Sequence, residues 1–99
     1  MKGVMAEKTR LGGNIVLEGF EELTMAESVV AKKIIGGYAR RFSDELEEYK
    51  EFQITLNEDE SISLILKYGE EEVTVEEKTD NIFFTLGDAL KKLEKKVLK

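Results

Sequence analysis

The spacing of apolar residues changes period twice along this chain, and that constrains the fold more than any other feature of the sequence. Between 25 and 42, Ala31, Ile34, Ile35, Tyr38 and Phe42 recur at helical intervals, with Val30 at their flank. From 52 to 76 the interval drops to two. Phe52, Ile54 and Leu56 alternate with Gln53 and Thr55; Ile62, Leu64, Leu66 and Tyr68 alternate with Ser63, Ile65 and Lys67; Val73 and Val75 alternate with Glu72, Thr74 and Glu76. Such alternation describes strands with one apolar and one wet face. The helical interval then returns through Ile82, Leu86, Ala89, Leu90, Leu93 and Val97. Two amphipathic helices and three half-buried strands find a common solution when both helices cover the apolar face of one sheet.

Local signals place the boundaries. Asn14–Phe20, with Ile15, Val16 and Leu17, reads as a short first strand. Thr24 and Glu27 have the spacing of a capping box at the start of the first helix. Asn57-Glu58-Asp59-Glu60 and Gly69-Glu70 are the natural turns of an antiparallel meander. Asp80 is a good N-cap for the last helix. The expected fold is α+β in the order β-α-β-β-β-α: a four-stranded sheet with two helices packed on one face. Residues 1–13 read as a flexible leader jointed at Gly12-Gly13, and residues 14–99 as a single domain. The expected core is Ile34, Tyr38, Phe42, Phe52, Ile54, Leu64, Leu66, Val75, Leu86, Leu90 and Leu93. Gly36-Gly37 interrupt the first helix and should cost it roughly 2 kcal/mol against alanine, unless the helix bends there or another group approaches closely.

Composition narrows the function classes. There is no His and no Cys, which removes the commonest general base, the commonest metal ligand and all thiolate chemistry. The carboxylates crowd into turns and the wet strand face, where they act chiefly as solvated charge. Neither Glu70-Glu71-Glu72 nor Asn57–Glu60 has the ligand spacing of an EF-hand, and no phosphate-binding loop, dinucleotide fingerprint or nucleophile elbow is present. No enzyme activity, cofactor or small-molecule substrate is expected. The wet strand face carries no aromatic pair on which bases could stack. No apolar run is long enough to span a membrane, and Met1–Arg10 lacks the apolar stretch of a signal peptide, so the expected location is cytoplasmic. Charged residues make up 36% of the chain, mostly Lys and Glu, with one Gln and three Asn, a usage resembling that of thermophile proteins.

Charge is sorted by element. Residues 24–43 carry a net +3 and residues 78–99 another +3, whereas residues 44–77 carry −11 from thirteen acids against Lys50 and Lys67. The overall −6 therefore conceals a basic surface that would suit an anionic partner. Its candidate residues are Lys32, Lys33, Arg40, Lys91, Lys92, Lys95 and Lys99, on the outer stripes of the two helices. The alternative for these cations is a solvated helix face, with lysines near a helix C-terminus also complementing the helix dipole.

Three stretches carry a family resemblance. Leu17-Glu18-Gly19 runs into Leu23-Thr24; Tyr38 to Phe42 is followed by Ser43-Asp44; and Asp80-Asn81-Ile82-Phe83-Phe84-Thr85-Leu86 continues to Lys92-Leu93. Over about residues 14–99 these resemble the first strand and the two helices of the ribosome hibernation-promoting factors and ribosome-associated inhibitors. That fold is related to the double-stranded RNA-binding domain with an added N-terminal strand. The resemblance implies a small cytosolic translation regulator that sets basic helical surface against ribosomal RNA on the small subunit. Lys92, Lys95 and Lys99 match basic positions of that family's second helix; Lys32 and Lys33 align only after a shift of one residue. The expected function is thus RNA binding, ribosome-associated, through a basic helical face. The alternative is a protein-interaction or homodimerising module, docking through the acidic strand face or an edge strand without RNA.

Overall fold

A computed structural model describes residues 8–11 and 14–98. Its elements are β1 (Lys8–Leu11), β2 (Ile15–Glu18), a single 3₁₀ turn (Phe20–Glu22), α1 (Met25–Glu45), β3 (Tyr49–Leu56), β4 (Ile62–Tyr68), β5 (Glu71–Glu77) and α2 (Ile82–Val97). The β-α-β-β-β-α unit expected from the sequence is β2-α1-β3-β4-β5-α2, an α+β arrangement. β2 runs parallel to β3, and β3, β4 and β5 form the antiparallel meander. The sheet order follows the chain order, β1 to β5.

The expected leader needs a correction at residues 8–11. They form a fifth strand, antiparallel to β2, with Leu11 opposite Ile15 and Lys8 opposite Glu18. The reversal uses Asn14 at φ 60°, a left-handed conformation that Asn tolerates better than most residues. Lys8-Thr9-Arg10-Leu11 is a short polar segment with no apolar alternation, so its signal as a strand lies in its pairing with β2. Gly12-Gly13 lie outside the described residues.

One core joins both helices to one face of the sheet. Ile15, Leu17, Phe52, Ile54, Ile62, Leu64, Leu66 and Val75 point from the strands into a cluster with Ala31, Ile35, Ala39 and Phe42 of α1 and Leu86, Ala89, Leu90 and Leu93 of α2. Phe42 meets Phe52 edge-on, ring centroids 5.4 Å apart. Ile34 and Tyr38, expected in the core, are half-buried, because they lie on the side of α1 that borders the open groove toward α2. Val30, expected to flank the apolar stripe, is exposed.

The entry to α1 is fixed by backbone geometry. Gly19 adopts φ +86°, and a Cβ there would lie 2.2 Å from the Leu56 carbonyl oxygen. Only glycine fits both the left-handed conformation and that approach. The Thr24–Glu27 capping box forms as expected: the Thr24 hydroxyl accepts from the Glu27 N–H, and Glu27 accepts from the Thr24 N–H. At α2 the cap is Asn81 rather than Asp80. Its Oδ1 accepts from Phe83 N–H at 2.8 Å and Phe84 N–H at 3.3 Å, a reach Asp80 is one residue too early to make. Buried Thr85 locks the turn: its Oγ1 accepts from the Thr79 N–H at 3.0 Å and donates to the Asn81 carbonyl at 3.0 Å. α1 passes through Gly36-Gly37 as unbroken helix, and a Cβ at either would meet nothing within 4 Å. No contact among the described residues requires these two glycines. No helix among the described residues is long and apolar enough to cross a membrane.

Candidate nucleic-acid interface

The two helices lie side by side and run in the same direction. Their N-terminal ends meet around one cleft, lined by Leu23 and Glu27 at the start of α1 and by Asp80, Asn81 and Ile82 at the start of α2. Near their C-terminal ends, Arg41 Nη1 bonds Glu94 Oε2 at 2.5 Å across the groove. Arg41 also approaches Glu45 at 3.6 Å on its own helix. This bridge identifies the side of each helix that faces the other.

From that reference, helical geometry assigns every candidate cation. Lys33 and Arg40 stand about 200° and 140° around α1 from buried Ile35, and Lys91 and Lys95 about 200° around α2 from buried Leu93. All four are exposed on the outer surface of the helical layer, and none makes an ion pair among the described residues. Lys92 leaves that surface. It lies on the far side of α2 from Glu94 and pairs with Glu77 at the end of β5. Lys32 stands about 180° around α1 from Arg41, on the flank away from α2, and is half-buried. Lys99 lies outside the described residues. The fold therefore brings together four of the seven candidates, Lys33, Arg40, Lys91 and Lys95.

The layers differ in charge as well as structure. α1 and α2 together hold eight cations and five acids, a net +3; residues 46–81, the three-stranded meander with its connections, hold twelve acids and three lysines, a net −9. The outer sheet face carries Gln53, Thr55, Ser63, Ile65, Lys67, Glu72, Thr74 and Glu76, as its alternation implied. A third zone is the cleft at the helix N-termini, about 690 Å³, whose walls include Glu21, Glu22, Glu27, Glu58, Glu60 and Asp80. Carboxylates complement the positive ends of the helix dipoles there. Beside it, Asp59 accepts from the Ser61 hydroxyl at 2.6 Å and its N–H at 3.0 Å. These bonds hold its carboxyl below the usual carboxylate range.

Sequence spacing missed two features of the surface. Arg41, counted only in the net charge, is the residue that ties the helices together. Met25, Val29, Val30 and Phe84 are the exposed large hydrophobic side chains among the described residues, and all four lie in the N-terminal halves of the two helices. The Met25–Val29 spacing of four residues was the available signal for an outward apolar strip.

No protein-family model matches the chain, and no curated protein matches it in sequence.

Proposed function

We propose that this chain binds structured RNA, ribosomal RNA of the small subunit in the first instance, and acts as a ribosome-associated regulator of translation. The observation that carries the reading is the set Lys33, Arg40, Lys91 and Lys95: exposed, without intramolecular ion pairs among the described residues, and on two parallel helices of one layer. Such cations are free to take phosphate oxygens, and counterion release then supplies much of the affinity. Lysine is a point-charge donor without base-reading geometry, so recognition follows shape and charge rather than sequence. The −9 strand layer on the opposite side turns the helices toward a polyanion as it approaches.

A salt series on a structured RNA, with sedimentation alongside ribosomal subunits, tests this. Four phosphate contacts correspond to log affinity falling with log salt at a slope of roughly −3 to −4. Lys91→Glu with Lys95→Glu is expected to weaken binding at least about tenfold, and Lys92→Glu less, since Lys92 already serves Glu77. Absence of affinity for structured RNA and for ribosomal subunits at low salt overturns the reading. The strand layer supports a second one, docking of a basic protein on the acidic sheet face. The β5 edge is less suited, because Glu71, Glu72, Glu76 and Glu77 discourage strand addition. Salt-sensitive binding to a lysine-rich protein, with none to RNA, would select that reading.

A further inference from the structure

Phe84 is the one exposed aromatic side chain among the described residues, at 71%; the other aromatic residues are buried or half-buried. It makes no ring contact among the described residues, and α2 buries Leu86, Ala89, Leu90 and Leu93 without it. Its position is nevertheless fixed. The Asn81 side chain accepts from the Phe84 N–H, so the ring stands on the first turn of a capped helix. Residues three apart are neighbours on a helix surface, and the position three after Phe84 is Gly87, where a Cβ would meet nothing within 4 Å. That neighbouring position therefore puts no side chain over the ring.

The surroundings of the ring indicate what it meets. Phe84, Lys91 and Lys95 share one stripe of α2, within about 40° of one another. Lys91 follows Phe84 by about 10 Å along the axis, and side chains on a helix lean toward its N-terminus, so Lys91 reaches back toward the ring. Phe84 is ten residues before Glu94 and Lys33 eight before Arg41, and Arg41 and Glu94 are bonded. On parallel helices Lys33 therefore lies within about 3 Å of the level of Phe84. Two exposed acids, Asp44 and Asp88, also stand on this face. Asp44 is at the C-terminal end of α1, beyond Arg40. Asp88 follows Phe84 by one turn, about 40° around α2. A phosphate is repelled by that carboxylate and gains nothing from a phenyl ring. A base stacks on the ring and offers N–H groups that a carboxylate accepts. Phe84 and Asp88 thus form a spot that favours a base, set among cations that favour phosphates.

We propose that Phe84 is a base-stacking platform, and that the RNA taken by this face carries an unpaired nucleotide, at a bulge or loop beside a duplex. The proposal rests on the RNA reading of the helical layer and names the kind of structured RNA that layer prefers. Lys33 and Arg40 on α1 and Lys91 and Lys95 on α2 take the flanking phosphates, and the unpaired base lies on the Phe84 ring with its edge toward Asp88. A fully paired duplex cannot bind in this way, because its bases are stacked on one another and present no free face. Every base has a π-face, so the platform selects unpaired over paired nucleotides without selecting a sequence. That agrees with lysine contacts that read no bases.

A synthetic RNA duplex with one unpaired central nucleotide, compared with the same duplex fully paired, tests this by fluorescence anisotropy at low salt. The unmodified full chain should bind the bulged RNA at least about fivefold more tightly. Phe84→Ala and Phe84→Leu should each weaken binding of the bulged RNA by about fivefold to a hundredfold, and that of the paired duplex by less than about twofold. Phe84→Tyr should keep the preference, because it keeps the ring. Circular dichroism and melting temperature should be retained in all three variants, since the side chain is exposed. Lys91→Glu with Lys95→Glu should instead weaken both RNAs, which separates the platform from the cations. Equal affinity of the unmodified chain for the two RNAs overturns the platform and leaves the RNA reading standing. So does a Phe84→Leu variant that retains the full preference. No binding of either RNA at low salt overturns both.

Discussion

The two helices share a core but are specified by different things. α2 spends sixteen residues on five buried positions, Thr85, Leu86, Ala89, Leu90 and Leu93. Its cap is locked by Asn81 and Thr85, and its apolar stripe accounts for most of its length. α1 is longer, twenty-one residues, yet buries only Ala31, Ile35, Ala39 and Phe42. It spends Met25, Val29 and Val30 on the surface and tolerates two adjacent glycines that no contact among the described residues requires. α2 is a helix explained by the core. α1 is explained only in part by the core, and its remainder is a surface.

The sharpest way to break this comparison is to truncate one apolar side chain on each helix. Leu90→Ala in α2 removes a fully buried side chain and should cost about 2–5 kcal/mol in a denaturant melt. Val30→Ala in α1 should change stability by no more than about 0.5 kcal/mol. Comparable losses at both sites would mean that α1 is core-determined after all. The caps come next. Asn81→Ala and Thr24→Ala should each cost about 1 kcal/mol, through the lost bonds to Phe83 and Phe84 and to Glu27 respectively.

Gly36→Ala and Gly37→Ala sharpen the comparison from the opposite direction. Each should stabilise the fold by up to about 1 kcal/mol, because the added Cβ meets nothing within 4 Å. A stability loss at either would reveal a packing role for it. The smallest effect lies where α1 hands over to the sheet. Tyr49 buries a hydroxyl that has no hydrogen-bond partner among the described residues, so Tyr49→Phe should be neutral or slightly stabilising. Burial foremost, and then the Glu51 carboxylate, push the Tyr49 phenol up to about 12. An unfolded tyrosine ionises near its ordinary value of 10.0. This residue's contribution should therefore be complete below that value and be lost as pH rises from there toward about 12. Ultraviolet titration should show one late-ionising tyrosine that Tyr49→Phe removes.

The pattern of periods, the capping box, both hairpin turns and the charge difference between helices and strands were legible in the sequence, because each depends on residues a few positions apart. So were most of the core and the outward placement of Lys33, Arg40, Lys91 and Lys95, which follow from helical spacing once the buried side is known. The remainder was decided by residues distant in sequence. Lys92 shares its spacing with outward lysines, but β5 brings Glu77 beside it. Arg41 looks like another surface cation until Glu94, fifty-three positions later, lies across the groove. Val30 fits the edge of an apolar stripe, yet neither α2 nor the sheet reaches far enough around α1 to cover it. Lys8–Leu11 has no apolar rhythm of its own and is a strand because β2 offers it an edge. Sequence determined which faces each element would have. Only tertiary packing decided which of those faces would meet, because burial and ion pairing depend on neighbours that local spacing does not encode.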